Sequence, residues 1–110
     1  MSLKGKTDAL FWAAGSHETT PEDMRSIIAG LKYDPEFAGG AFLTALQGAL
    51  HIALMPDNEA ESERRLGVIK VIADAVAVNM DFGREYVREV VEKSAAARRN
   101  PESIIGKFLG

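Results

Sequence analysis

The 110-residue chain contains no cysteine, only two histidines, and no marked excess of charge of either sign. Without cysteine, a disulfide scaffold, a thiolate metal site and a cysteine nucleophile are all excluded. With two histidines, a catalytic zinc would need both of them plus a carboxylate. Thirteen Lys and Arg face sixteen Asp and Glu, for a net charge of −3. We therefore expect neither nucleic acid nor an anionic lipid surface as a partner.

Motifs that carry chemistry are also missing. The chain has no Gly-x-Ser-x-Gly, no glycine-rich phosphate loop, and no second histidine four residues after His17. Acids alternate over residues 57–63 like the first ligands of an EF-hand loop, but Ser62 stands where glycine is needed and Val68 where a bidentate carboxylate is needed. The sequence thus predicts no metal and no cofactor, and it favours a protein that is not an enzyme.

One long uncharged stretch raises the question of a membrane span. No formally charged residue occurs from Phe37 to Pro56, and about 20 helical residues cross a bilayer of about 30 Å. Gln47 and His51 lie in the middle of this stretch, where polar side chains would be costly in lipid. The first residues also lack the apolar segment of a secretory leader. We therefore expect no membrane segment and a cytoplasmic location.

Helix entries are the clearest positive signal. A capping side chain, a proline and an acid follow one another at Thr20-Pro21-Glu22, Asp34-Pro35-Glu36 and Asn100-Pro101-Glu102. The capping oxygen accepts an unpaired backbone N–H, proline suits the first helical position, and the acid meets the positive end of the helix dipole. The sequence predicts that a helix begins at each of these three points.

The segment 35–55 is predicted to form a central helix, because it is apolar on nearly every face. One ladder of this helix consists of Phe42, Leu46, Leu50 and Leu54, and the adjacent ladder consists of Ala41, Ala45, Ala49 and Ala53. An alanine row allows another helix to approach closely. That helix belongs either to the same domain or to a second copy across a dimer axis, so the four alanines are candidate interface residues.

Residues 66–80 are predicted to form a helix, although the β-branched run Val68 to Val78 makes a strand the competing interpretation. Lys70 and Asp74, four residues apart, favour the helix because they would share one solvated face. Further helices are expected around residues 7–14, after Thr20 and after Asp81. The sequence as a whole predicts a single all-α domain over residues 1–110, a compact bundle of five or six helices around the central one.

A short amphipathic helix is predicted at the C-terminus, over residues 101–109. Its large apolar residues are Ile104, Ile105, Phe108 and Leu109, which are further candidate interface residues. Left undocked, they would expose an apolar patch. The helix therefore docks on its own bundle or lies in a groove of a partner or second copy.

The order of apolar helix, acidic stretch and apolar helix over residues 42–80 resembles TerB-like helical domains. The Asp-Gly step of that family is absent from this sequence. No functional residue is therefore transferred from the resemblance.

The central helix has one polar stripe, formed by Thr44, Gln47 and His51 at steps of three and four. These are the candidate ligand-binding residues. The stripe is either the helix's partly exposed or internally satisfied edge, or it lines a cleft or a two-fold interface.

Three functions remain open on the sequence. The favoured one is a small intracellular, non-catalytic binding or regulatory module that acts through protein–protein contacts and forms a homodimer. The alternative is a helical pocket protein or enzyme that uses His51 and Gln47 with an acid such as Glu85. The third is a weak nucleic-acid binder, which requires one basic face made of Arg64, Arg65, Arg98 and Arg99.

Overall fold

The computed structural model describes residues 3–55 and 63–94, and this part of the chain is an all-α bundle without strands. Its five α-helices are α1 (Leu3–Gly15), α2 (Pro21–Lys32), α3 (Ala41–Ala53), α4 (Glu63–Asn79) and α5 (Gly83–Lys93). A short 3₁₀ helix, Pro35–Phe37, lies between α2 and α3. The predicted fold class is confirmed, and the β-branched segment after residue 66 is helical.

Two of the three predicted helix entries lie in the described residues, and both are confirmed. At the start of α2, the Thr20 hydroxyl accepts a hydrogen bond from the Asp23 backbone N–H, and the Asp23 carboxylate accepts one from the Thr20 N–H, both at 3.1 Å. This is a complete capping box. Asp34 Oδ1 accepts a bond from the Glu36 N–H at 2.9 Å and caps the 3₁₀ helix. The third entry, at Asn100, lies outside the described residues.

The central helix is shorter than predicted. The sequence predicted one helix over residues 35–55, whereas α3 begins at Ala41 and ends at Ala53. Gly39 has a φ of +69°, a left-handed conformation that glycine adopts at no steric cost and that a right-handed helix excludes. The first predicted turn therefore becomes the separate 3₁₀ helix.

The core lies between α3 and α4. Helix α3 packs against α1, α4 and the 3₁₀ helix, and α4 packs against α2 and α5 as well as α3. The fully buried side chains of the core include Leu46 and Leu50 of α3 and Ile69, Ile72 and Val76 of α4. The bundle thus packs around a central apolar helix, and α4 shares the central position with α3.

The alanine row packs inside this domain. Ala45, Ala49 and Ala53 are each at most 4% exposed, and Ala41 is half-buried. Next to the row, a Cβ on Gly48 would lie 2.7 Å from Cζ of Phe11, so a larger residue there would have to displace the Phe11 ring of α1. Of the two alternatives for the row, the three buried alanines match packing inside the domain, because their surface is covered by the chain itself.

The turn between α4 and α5 is tight. A Cβ on Gly83 would lie 2.5 Å from the carbonyl oxygen of Ala77, a backbone atom that cannot rotate away. The preceding residue, Phe82, has a φ of 58° and a side chain that is 82% exposed. Phe82 therefore holds a left-handed conformation that is unfavourable for a residue with a Cβ.

Two further expectations from the sequence were the absence of a membrane-spanning helix and a short helix at the C-terminus. No helix among residues 3–55 and 63–94 has both the length and the apolar character that are needed to cross a membrane. The predicted helix 101–109, with Ile104, Ile105, Phe108 and Leu109, lies outside the described residues.

Candidate binding groove

A groove opens between the C-terminal end of α3 and one face of α5. We call it the α3–α5 groove, and its volume is about 490 Å³. Both helices pack on α4, so the groove is the space left between two neighbours of the same helix. It is lined by His51, Leu54, Met55, Tyr86, Glu89, Val90, Lys93 and Ser94.

The polar centre of the groove is a pair of side chains, one from each helix. His51 Nε2 and the Tyr86 hydroxyl lie 3.3 Å apart and share one hydrogen bond. The ring nitrogen accepts this bond when it carries no proton and donates it when it does. His51 is exposed and Tyr86 half-buried, so both polar atoms are placed where a bound group can compete for them.

The predicted polar stripe is divided by the structure. His51 lines the α3–α5 groove, whereas Gln47 and Thr44 are not among its lining residues. The Gln47 side-chain amide donates a weak hydrogen bond to the Met80 sulfur at 3.7 Å, and Thr44 is exposed. Gln47 therefore supports the junction of α3 and α4. Of the three candidate ligand-binding residues, only His51 faces the groove.

The acid at the groove is Glu89, not the predicted Glu85. Glu89 Oε1 accepts a hydrogen bond from Lys93 Nζ at 2.8 Å. This hydrogen bond, followed by the lysine's charge, lowers the pKa of Glu89, and the same contact raises the pKa of Lys93. Both side chains therefore stay ionised at neutral pH and compensate each other at the rim of the groove.

The size and lining of the groove are common among ligand sites. Its volume falls within the range of about 300–1,000 Å³ that is usual for ligand sites, and its walls include Leu54, Met55 and Val90. Among the residues that the structure describes, no group of three or more His, Cys, Asp and Glu is arranged to hold a metal ion. The groove therefore combines apolar walls with the His51–Tyr86 pair and the ionised Glu89–Lys93 pair.

A second groove lies between α2 and α4, with a volume of about 540 Å³. Charged side chains flank it, and Lys70 and Asp74 form an ion pair of 3.3 Å across one turn of α4. The predicted solvated face of α4 is thereby confirmed. His17 lies in a third depression beside Trp12, apart from the groove that contains His51.

Sequence reasoning missed the role of Arg65, which was interpreted as half of a solvated basic pair. Arg65 is fully buried, and its guanidinium donates hydrogen bonds to the carbonyls of Ser16 (3.0 Å), Ala14 (2.7 Å) and Ala53 (3.4 Å). Burial, and secondarily the charge of Arg64, lowers the pKa of Arg65.

The helical spacing contained the missed signal. Arg65 precedes Ile69, Ile72 and Val76 by four, seven and eleven residues, which places it on the buried face of α4. The third hypothesis required Arg65 on a solvent-facing basic surface. That arrangement is wrong, because the side chain is enclosed by the ends of α1 and α3. Arg98 and Arg99 lie outside the described residues.

Comparison with known proteins gives no relative: no family model, no curated protein and no solved structure matches the chain.

Proposed function

We propose that the chain is a non-catalytic binding module that acts through protein–protein contacts, and that the α3–α5 groove accepts the apolar face of a helix. The observation that carries this proposal is the open groove itself, whose walls present Leu54, Met55 and Val90 beside an aromatic ring, that of Tyr86. An amphipathic helix recognises such a groove by inserting side chains spaced three and four residues apart.

Two features of the lining support a protein segment as the ligand. Met55 is 49% exposed, and methionine adapts its unbranched side chain to varied apolar partners. The hydroxyl of Tyr86 and the ring of His51 provide polar atoms beside the apolar walls of the groove. Such atoms fix the orientation of a bound segment, whereas the apolar walls supply most of the affinity.

A selection experiment tests this function. A displayed library of amphipathic helices is selected on the immobilised full chain, and binders are measured against Met55→Glu and Tyr33→Glu. Tyr33 is also an exposed apolar residue, but it lies at the end of α2 and does not line the groove. We expect Met55→Glu to weaken binding at least tenfold and Tyr33→Glu to leave it within twofold. A library that yields no helical binder would contradict the function.

Self-association is part of the proposal. Val78 and Phe82 are 81% and 82% exposed, and they lie four residues apart at the turn between α4 and α5. Large apolar side chains that are exposed in the single chain are candidates for such an interface. We expect a homodimer by light scattering on the full chain, and a shift towards monomer for Phe82→Ser. A monomer at every concentration tested would contradict the proposed homodimer.

A cytoplasmic location also belongs to the proposal, supported by the absence of cysteine.

A small-ligand site is the second candidate, because the cleft beside His51 that this alternative requires is present. A small-ligand site in this groove depends on His51 and Tyr86, since Gln47 and Glu85 do not line it. Screening a fluorinated fragment library by NMR discriminates the small-ligand function from the helix-binding function. Fragments that shift the His51 ring signals, together with a failed helix selection, would favour the small ligand.

A further inference from the structure

We propose that the C-terminal segment of the same chain, residues 101–109, occupies the α3–α5 groove in cis, so that a partner helix must displace it. This inference rests on the proposed function, because it requires that the groove bind an apolar segment. It adds a named occupant and a mode of regulation, which is self-occlusion.

The first argument is where the described chain ends. Ser94 is itself a lining residue of the groove. Its backbone is extended, with φ −72° and ψ 154°, and its hydroxyl donates to the Val91 carbonyl at 2.7 Å. These features end α5 at the groove, so the following residues of the chain start from its rim.

The second argument is reach. Residues 95–100 separate Ser94 from Pro101, and six residues span at most about 20 Å. Along α5, the lining residues from Tyr86 to Ser94 cover about 12 Å. A connection of six residues is also of ordinary length between two packed helices. The segment that begins at Pro101 can therefore reverse direction and lie along the whole groove.

The third argument is composition. Four of the nine residues in the segment are large and apolar, namely Ile104, Ile105, Phe108 and Leu109. They recur at spacings of one, three and four, which would place them on one side of a helix. The walls of the groove include the aliphatic Leu54 and Val90 and the ring of Tyr86, so covering these side chains with the segment removes apolar surface from water on both sides.

Tethering favours the cis arrangement over a second copy. A short linker gives an effective concentration of about 1 mM, well above micromolar concentrations of a separate molecule. If the free segment binds the groove with a Kd of about 50 µM, the tethered segment fills it about 95% of the time and weakens a competitor about 20-fold.

A spin label tests where the segment lies. The chain has no cysteine, so Gly110→Cys provides one attachment site on the full chain. We expect a nitroxide at this position to broaden the amide NMR signals of Leu54, Tyr86 and Val90. The signal of Ala29, in the groove between α2 and α4, should keep its intensity. Absence of broadening at the α3–α5 groove would overturn the proposal.

A mixed sample separates cis from trans binding. Spin-labelled chain of natural isotope content is mixed with ¹⁵N-labelled chain that lacks the nitroxide. We expect no broadening of the α3–α5 groove signals in the ¹⁵N-labelled molecules. Broadening of their groove signals would mean that the segment enters a second copy, which would overturn the cis arrangement and leave the binding function of the groove intact.

A variant in the tail gives a second readout. In the full chain, Ile105→Glu with Phe108→Glu should empty the groove, and Ser103→Glu is the control in the same segment. We expect a synthetic peptide of residues 98–110 to bind the double variant about 20-fold more tightly than it binds wild type or Ser103→Glu. Equal affinity for all three would contradict self-occlusion. Helix selection on the same variants then reports separately on the proposed function.

Discussion

Replacing Arg65 by methionine should destabilise the bundle more than any other single change of a charged residue in its described part. The guanidinium bonds the carbonyls of Ala14 and Ser16 at the end of α1 and that of Ala53 at the end of α3. These carbonyls have no partner within their own helices. Arg65 therefore ties the C-terminal ends of two helices to the first turn of α4, and its charge suits the negative end of each helix dipole.

The magnitude follows from two opposing effects. Hydrogen bonds from a charged donor contribute about 1.5–3 kcal/mol each, so the two shorter bonds contribute about 3–6 kcal/mol. Methionine also removes the desolvation penalty of the buried charge, which is on the order of several kcal/mol and offsets part of this loss. We therefore expect Arg65→Met to lower the free energy of unfolding by about 2 kcal/mol. Small domains have a total stability of only about 5–15 kcal/mol.

Urea denaturation followed by circular dichroism measures this loss. Arg64→Met is the matched control, since Arg64 is the exposed neighbour and surface substitutions usually change stability by about 0.5 kcal/mol or less. Arg65→Lys should be intermediate, because an ammonium cannot reproduce the planar fork of donors. If Arg65→Met were as stable as Arg64→Met, the bonds would only compensate the cost of burying the guanidinium, and the reasoning would be refuted.

Three further predictions concern local structure and pH. Gly83→Ala should destabilise the domain by about 2 kcal/mol in the same assay, because its Cβ meets the Ala77 backbone; a neutral effect would contradict the tight turn. Phe82→Gly, measured at a protein concentration at which the chain is monomeric, should raise stability by about 1 kcal/mol, since it relieves a left-handed conformation and removes a ring that is 82% exposed in the single chain; a loss would show that the ring packs within its own chain. The hydrogen bond from Lys6, followed by that from the Glu36 backbone, lowers the pKa of Asp34. Its contribution to stability is therefore present above its unfolded pKa of about 4 and is lost as pH falls through the lower folded value. Asp34→Asn should reduce the fall of the urea midpoint between about pH 5 and 2, and an unchanged slope would exclude this ion pair as a cause.

Features that depend on neighbouring residues were predictable from the sequence. The caps at Thr20 and Asp34 involve side chains within three residues of the backbone groups that they bond, so the local sequence contains all the partners. The helix over 66–80 followed from the spacing of Lys70 and Asp74. The premature break before α3 was also local, but the sequence does not distinguish a Gly39 with positive φ from a glycine inside a helix.

Features that depend on packing were only partly predictable. His51 stood out as a histidine on an apolar helix, but its partner Tyr86 lies 35 residues away and meets it because α3 and α5 share α4 as a neighbour. Arg65 was interpreted as solvent-exposed because of its charge, although the helical spacing placed it on the buried face of α4. An arginine is buried where backbone carbonyls converge, and the convergence of the ends of α1 and α3 is a property of the assembled bundle.

The central claim is that the α3–α5 groove is the binding surface, and chemical-shift mapping tests it most directly. A helix selected on the chain is titrated into ¹⁵N-labelled full-length protein. The largest shifts should fall on Leu54, Met55, Tyr86 and Val90, with little change at Arg25 and Ala29 beside α4. Shifts centred on the α2–α4 groove, or spread evenly over the surface, would contradict the account.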